Sequence, residues 1–221
     1  MIIEFTAWPK TPRLFRDAII TEKLDGTNAG IHVRKLDDEE IDLAWTGPDG
    51  YPDDYIAVDG DLYEVVAQSR KRLLYPNTEE NKGTDNFGFA AWVREHRRAL
   101  VTSLGLGLHY GEWWGSGIQR GYGLPPGEKR FSLFNVHKYG ALLPTHPDDT
   151  RPRVPGLGIV PLLDQHTFST ERVEEIKQRL VDGGSQAAPG FMKPEGVIVY
   201  HTASKTTFKS LIENDDSPKG E

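Results

Sequence analysis

The sequence predicts an α+β domain built mostly of antiparallel strands, on three observations. Turn residues are frequent, with 23 Gly and 15 Pro in 221 positions, and the segments between them alternate or stay apolar over runs of strand length. Two longer segments carry a helical period instead. Helices and strands do not alternate regularly, which argues against a βαβ array around a parallel sheet.

In chain order, strands are expected near 18–23, 28–36, 41–46, 63–68, 106–113, 130–138, 156–161, 194–201 and 206–211. The first helix covers 86–103. Thr84-Asp85 can cap it, and Phe89, Val93, Arg97, Leu100 and Leu104 recur at helical spacing, so one face is mainly apolar. The second runs from about 170 to 182, where Val173, Ile176 and Leu180 form a stripe and Gly183-Gly184 ends it. The stretches 47–60 and 144–155, rich in Pro, Asp and Gly, read as loops. No internal repeat or low-complexity tract interrupts the chain.

Length favours one domain spanning 1–221. No apolar tract is long enough to cross a bilayer as a helix, and the N-terminus MIIEFTAWPK lacks the pattern of a signal peptide. A soluble protein with no membrane partner is expected. The absence of cysteine excludes disulfides and thiolate metal sites and suits a reducing, cytoplasmic setting. The net charge of -7 argues against a protein that coats nucleic acid. Basic clusters nevertheless occur at Arg70-Lys71-Arg72, at Arg94 with Arg97-Arg98, and at Lys129-Arg130 near Arg120. Acidic residues gather at Asp37 to Glu40, Asp53-Asp54 and Glu213 to Asp216, so one face of such an enzyme is left to touch nucleic acid.

Chemistry concentrates in Glu22-Lys23-Leu24-Asp25-Gly26-Thr27-Asn28, which places Lys-x-Asp-Gly at the end of an expected apolar strand. Chance alone gives about 0.1 such tetrapeptides in this composition, so the motif needs its context to carry weight. A free lysine side chain titrates near ~10.4, and only its neutral amine attacks phosphorus. A catalytic lysine therefore needs desolvation or cationic neighbours, and covalent catalysis follows if it has them. Glu112, flanked by Trp113 and Trp114, is a carboxylate in an apolar stretch and requires a partner. Glu195 opens the apolar run Val197-Ile198-Val199, where a carboxylate at a strand mouth can reach a hard metal through oxygen. Phe134 reads either as core or as an aromatic platform, and on composition core is favoured. The seven histidines show no metal-site spacing and read as structural or surface residues.

After Lys23 come Gln68-Ser69-Arg70, Tyr110-Gly111-Glu112, Phe131 to Val136, Pro194 to Val199 and Thr207-Phe208-Lys209. This ordered series resembles the motif set of the covalent lysine nucleotidyltransferases, which comprise ATP-dependent DNA and RNA ligases and mRNA capping enzymes. Within them, Glu-Lys-Leu-Asp-Gly-Thr-Asn most resembles the nick-sealing branch of RNA ligases. The resemblance implies two antiparallel sheets with flanking helices, a nucleotidyltransferase (ligase adenylation) domain that holds ATP between the sheets. It implies Lys23 as nucleophile, Lys209 on the α-phosphate and Glu195 on the catalytic Mg²⁺ or Mn²⁺. Among nucleotide-binding positions it implies Glu22, Asn28 near the nick or nucleotide, Arg70 on the ribose or the nucleic-acid end, Glu112 on the ribose hydroxyls and Phe134 stacked on adenine. The reaction it implies passes AMP from Lys23 to a 5′-phosphate end, which a 3′-hydroxyl then seals, as in nucleic acid repair. The partner is RNA or a nicked RNA-containing duplex.

Two departures accompany the resemblance. The last motif normally carries two lysines one residue apart, whereas Thr207 and Leu211 flank Lys209 here. The sequence also closes at Glu221, soon after Lys209, so no C-terminal oligonucleotide-binding (OB-fold) domain is expected. Grip on the substrate would then come from Arg70-Lys71-Arg72, Arg94, Arg97-Arg98 and Arg120, or from an accessory protein. The alternatives are a nucleotidyltransferase of the same fold acting on a DNA nick or in capping, and a non-catalytic nucleic-acid-binding or nucleotide-sensing relative, which the single lysine of the last motif favours.

Overall fold

The structure is a computed structural model that describes residues 3–44, 54–79, 83–141, 143 and 153–213. Two compact units divide the chain, one formed by Met1–Lys23 with Pro161–Glu221 and the other by Leu24–Val160.

The first unit carries a four-stranded antiparallel sheet. Its strands are β1 (Asp17–Lys23), β9 (Leu162–Thr167), β10 (Gly196–His201) and β11 (Thr206–Leu211), in the order β11-β10-β1-β9. Helix α4 (Thr170–Gly183) packs its Val173, Ile176 and Leu180 stripe with Ala18, Ile20, Val197 and Val199 of β1 and β10. The Ser169 hydroxyl accepts from the Arg172 amide at 3.1 Å and caps the helix, and the Gly184 amide closes it on the Leu180 carbonyl at 2.8 Å.

The second unit holds the larger sheet. Its main path runs β3-β4-β2-β6-β7-β8, with β5 paired to β4. The strands are β2 (Thr27–Lys35), β3 (Tyr55–Val58), β4 (Asp61–Ser69), β5 (Leu73–Leu74), β6 (Gly107–Gly115), β7 (Lys129–Leu133) and β8 (Leu157–Ile159). Among the described residues only β7 and β8 pair in parallel. One face of this sheet buries Ala29, Ile31, Val33, Val65, Ala67, Trp113, Phe131 and Leu133 together with Phe89, Val93 and Leu100 of α2 (Phe89–Leu104). Strand side chains alternate between faces, so the intervening Asn28, Gly30, His32, Gln68, Tyr110, Glu112 and Ser132 belong to the opposite face, and this polar surface is where the site residues of the unit lie.

The α+β class with two largely antiparallel sheets is as expected, and both long helices form. Three expectations need correction. Residues 41–44 are not a strand, because they belong to α1 (Asp38–Ala44), and 45–46 of the expected strand fall outside the described residues. Asp37 and Glu40 exchange reciprocal bonds, the Glu40 amide to Asp37 Oδ1 at 2.9 Å and the Asp37 amide to Glu40 Oε2 at 3.1 Å, which makes a capping box. The acidic first turn Asp38, Glu39 and Glu40 adds a favourable charge at the positive helix end.

The expected strand 130–138 also breaks after Leu133. Asn135 caps the short α3 (Val136–Gly140) by accepting from the Lys138 amide at 3.0 Å, and this local bond ends the extended chain. The third correction concerns β3 and β9, which sequence periodicity did not disclose. β3 lies inside the expected loop 47–60, of which 47–53 fall outside the described residues, as do 144–152 of the other expected loop. No helix among the described residues is long and apolar enough to cross a membrane.

Candidate functional site

Lys23 ends β1, where its Cα pairs with Gly196 at the start of β10. The Lys23 ammonium makes an ion pair with Glu195, the residue before that strand, and both side chains are largely withdrawn from solvent. Directly paired residues share a sheet face. Thr21 pairs with Ile198 and Ile198 with Lys209, so Lys209 lies on the same face as Lys23. Lys209 is exposed on the edge strand and has no carboxylate partner among the described residues. The desolvation expected of a catalytic lysine is thus partly present, but the group touching its amine is an anion rather than a cation.

Gly196 explains how β10 can begin so close to its neighbour. Its φ is 153° and a side-chain carbon there would come within 2.3 Å of the Ser210 carbonyl oxygen. Only glycine allows this approach, and it leaves Glu195 at the mouth of the strand. The Glu195 carbonyl accepts from the Ile212 amide at 3.1 Å, which ties the same residue to the end of β11.

Glu22 faces the other way. Alternation along β1 turns it to the face of Ala18 and Ile20, on which α4 packs, and it is 1% exposed. Its Oε1 accepts from the Ser185 hydroxyl at 2.5 Å, and its Oε2 accepts from the amides of Gln186 at 2.8 Å and Ala187 at 3.1 Å. Burial pushes this carboxyl above its ordinary range, and the three hydrogen bonds pull it back only in part.

In the second unit, Asn28 and Glu112 are direct partners across β2 and β6, on the polar face. Glu112 has the partner its setting demanded, since its Oε1 accepts from the Gly26 amide at 3.1 Å. Trp113 turns into the core on the opposite face, while Trp114 shares the face of Glu112 and donates to the Ser132 hydroxyl at 2.9 Å. The Lys-x-Asp-Gly turn is held further by two residues that sequence reasoning did not assign to it. The Asp25 amide donates to the Tyr122 hydroxyl at 2.8 Å, and Arg120 Nε donates to Asp25 at 3.0 Å. Tyr122 is buried and edge-on to Trp114, with ring centroids 5.0 Å apart.

Phe134 follows β7 and is 40% exposed, so the core reading that composition favoured does not hold. Its amide bonds to the carbonyl of Tyr110, itself an exposed aromatic on the polar face. Arg70 follows β4 and is exposed. His32, read from sequence as structural or surface, shares the polar face and bonds to Gln68 at 2.5 Å. The signal for His32 and Tyr110 was available in strand alternation: both are even-numbered residues two or four steps from Asn28 or Glu112.

The basic clusters resolve into bound and free members. Arg94 pairs with Asp54 at 3.6 Å, Arg97 donates to the Tyr55 carbonyl at 3.3 Å, and Arg120 serves Asp25. Arg130 pairs with Glu128 and lies over the Trp114 ring. Arg70, Lys71 and Arg98 stay exposed.

A family model described as RNA ligase matches residues 16–212. Solved structures of Naegleria gruberi RNA ligase variants have a similar fold. One, with ATP and Mn, aligns at a TM-score of 0.52 and 16% identity over 90% of this chain and 51% of that one. Another, with AMP and Mn, gives 0.51 and 17% over 90% and 50%. A third, without ligand, gives 0.52 and 18% over the same shares. This chain therefore spans about half the length of those ligases. No curated protein matches it. The family match runs through every one of the ordered motifs from Lys23 to Lys209: this chain belongs to the RNA ligase family.

Proposed function

We propose that this protein is an ATP-dependent RNA ligase that works through a covalent AMP on Lys23. The observation that carries the reading is the Lys23–Glu195 ion pair at the mouths of β1 and β10, with the exposed Lys209 on the same sheet face. In the first step the Lys23 amine attacks the α-phosphorus of ATP. A nitrogen–phosphorus bond forms, the bond to the bridging oxygen breaks, and pyrophosphate leaves. The carboxylate of Glu195 touches Nζ and is placed to take the proton the amine gives up. Lys209 neutralises charge on the α-phosphate, where positioning and charge dominate catalysis. AMP then passes to a 5′-phosphate end, and a 3′-hydroxyl displaces it to close the strand.

Among the described residues no three acidic or histidine side chains gather into a metal cage. Magnesium bound with nucleotide phosphates needs only one or two protein carboxylates, and Glu195 fits that role. When bound, Mg²⁺ or Mn²⁺ supplies additional positive charge at the phosphates. In the second unit, Phe134 offers an exposed ring for adenine, and a stacked base is worth about 1–3 kcal/mol. Glu112 and Asn28 serve the ribose and the nick, and Arg70 the ribose or strand end. The Naegleria gruberi ligase structures with ATP or AMP and Mn support this ligand set.

The test is incubation with labelled ATP or GTP and with nicked duplexes carrying RNA or DNA on each side of the break. Label is expected on the protein from ATP alone, and sealing where RNA flanks the nick. Labelling from GTP would move the assignment to a capping reaction, and sealing of DNA nicks alone would move it to a DNA acceptor.

Grip on the substrate is assigned to Arg70, Lys71 and Arg98. Each phosphate contact contributes about 0.9 to the slope of log affinity against log salt on duplex nucleic acid. Replacing all three with alanine is expected to flatten that slope for a nicked duplex by about one unit or more. An unchanged slope would exclude these side chains as phosphate contacts.

A further inference from the structure

The segment from Gly184 to Glu195 joins α4 to β10 and is gripped at both ends by neighbouring residues of β1. At its far end Glu195 meets Lys23. At its near end Ser185, Gln186 and Ala187 all donate to the buried carboxylate of Glu22. Because successive strand residues face opposite sides of a sheet, one strand end holds the same loop from both faces.

The loop is also braced internally. The Ser185 amide donates to the Phe191 carbonyl at 2.8 Å, the Phe191 amide to the Ala188 carbonyl at 3.0 Å, and the Ala188 amide to the Ser185 hydroxyl oxygen at 3.1 Å. The Ser185 hydroxyl thus accepts from Ala188 and donates to Glu22, which ties both residues to one side chain. Gly184, at φ 78°, lies where a side-chain carbon would come within 2.7 Å of the Phe191 carbonyl oxygen. These bonds brace the loop from Ser185 to Phe191, and four residues further on Glu195 is held by the Ile212 amide and by Lys23.

We infer that Glu22 is a positioning residue that fixes Glu195 against Lys23 through the 184–195 loop, rather than a ligand of the nucleotide. Its carboxylate lies on the α4 face, away from the face of Lys23 and Lys209, and has no exposed oxygen to offer ATP. Three donors from three successive residues converge on one buried carboxyl, so the loop's near end is held at Ser185, Gln186 and Ala187 together. The inference rests on the adenylation reading for its kinetic consequence, but the clamp itself is a property of the free protein.

The experiment compares the parent with Glu22→Gln and with the milder Ser185→Ala. Hydrogen exchange without nucleotide reads the clamp: the Gln186 and Ala187 amides should exchange about 10- to 100-fold faster in Glu22→Gln, the loss expected for a bond to a charged acceptor. Single-turnover AMP transfer to Lys23 reads its consequence. The rate at saturating ATP should fall about tenfold or more per folded molecule, while the ATP concentration for half-maximal rate changes less than about twofold. Ser185→Ala should move both readouts in the same direction by less.

A raised ATP requirement with an unchanged maximal rate would make Glu22 a nucleotide ligand and overturn the inference. So would unchanged exchange, or accelerated exchange with an unchanged rate per folded molecule, which is the signature of a purely structural contact. A parent that accepts no AMP defeats the ligase reading instead, and the exchange comparison still decides whether the clamp exists. Should Glu22→Gln fail to fold, Ser185→Ala alone must show both changes for the inference to stand.

Discussion

Lys23→Ala is expected to abolish the AMP adduct. The parent, incubated with ATP and Mg²⁺ or Mn²⁺, is expected to gain the mass of one AMP in an intact-protein spectrum, and the variant to gain none under any condition. The physical ground is that no other described lysine combines a strand-end position, partial burial and contact with a strand-mouth carboxylate. Lys209 shares the face but stands exposed on the edge strand. Removing the amine leaves Glu195 unpaired where it is only partly solvated, at a cost of about 1–3 kcal/mol, so the variant should stay folded. Circular dichroism and a denaturant titration would establish that the loss is chemical. An adduct on both proteins, or on neither after stripping of pre-bound AMP, would remove Lys23 as nucleophile.

Gly26→Ala is expected to be nearly as damaging, although it deletes no reacting group. A side-chain carbon at Gly26 would come within 2.4 Å of the Trp113 carbonyl oxygen, 2.8 Å of Trp114 Cβ and 3.1 Å of Glu112 Cγ. The first two are backbone and near-backbone atoms of β6, a central strand bonded on both sides, so they have little freedom to yield. The Asp25-Gly26 turn must move instead. That severs the bond from Gly26 to Glu112 and the bond from Asp25 to Tyr122. Overpacking of this kind costs about 1–3 kcal/mol, and each lost hydrogen bond about 1 kcal/mol more. Urea denaturation should show a lower midpoint, and the concentration of ATP that half-saturates labelling should rise. An unfolding free energy within about 0.5 kcal/mol of the parent's, with unchanged ATP dependence, would mean that the turn tolerates displacement and that its geometry is not what the motif preserves.

How much was legible beforehand differs from element to element. The stripe Val173, Ile176 and Leu180 and the stripe Phe89, Val93 and Leu100 read directly as helices, because a helical period is local and both stripes found a sheet to cover. The capping box of Asp37 and Glu40 is equally local, yet the apolar pattern of the run after it predicts a strand. There the end chemistry of the helix outweighed the apolar pattern. β9 was missed because Leu162–Thr167 carries Asp164, Gln165 and His166, a polar edge whose only strand neighbour is β1. Its pairing supplies what its composition does not announce.

Among candidate site residues, the order of Lys23, Arg70, Glu112, Phe134, Glu195 and Lys209 is readable because each stands in a short local motif. The roles of Glu22, Arg120 and Tyr122 are not. Glu22 is adjacent to Lys23 in sequence, and nothing in a linear reading says that its carboxylate is buried against Ser185, Gln186 and Ala187. Arg120 read as a phosphate contact until Asp25 was seen beside it.

Sequence by itself determined the residue types, their period and their order: a lysine at the end of an apolar strand, a carboxylate among tryptophans, an aromatic and a carboxylate at a strand mouth after it, and two helices with one apolar face each. Only tertiary structure decided which way each side chain turns and what it meets. A strand offers two faces, and the choice between them is made by pairing with segments far along the chain. The burial that makes a carboxylate either a strut or a ligand is likewise a property of those neighbours.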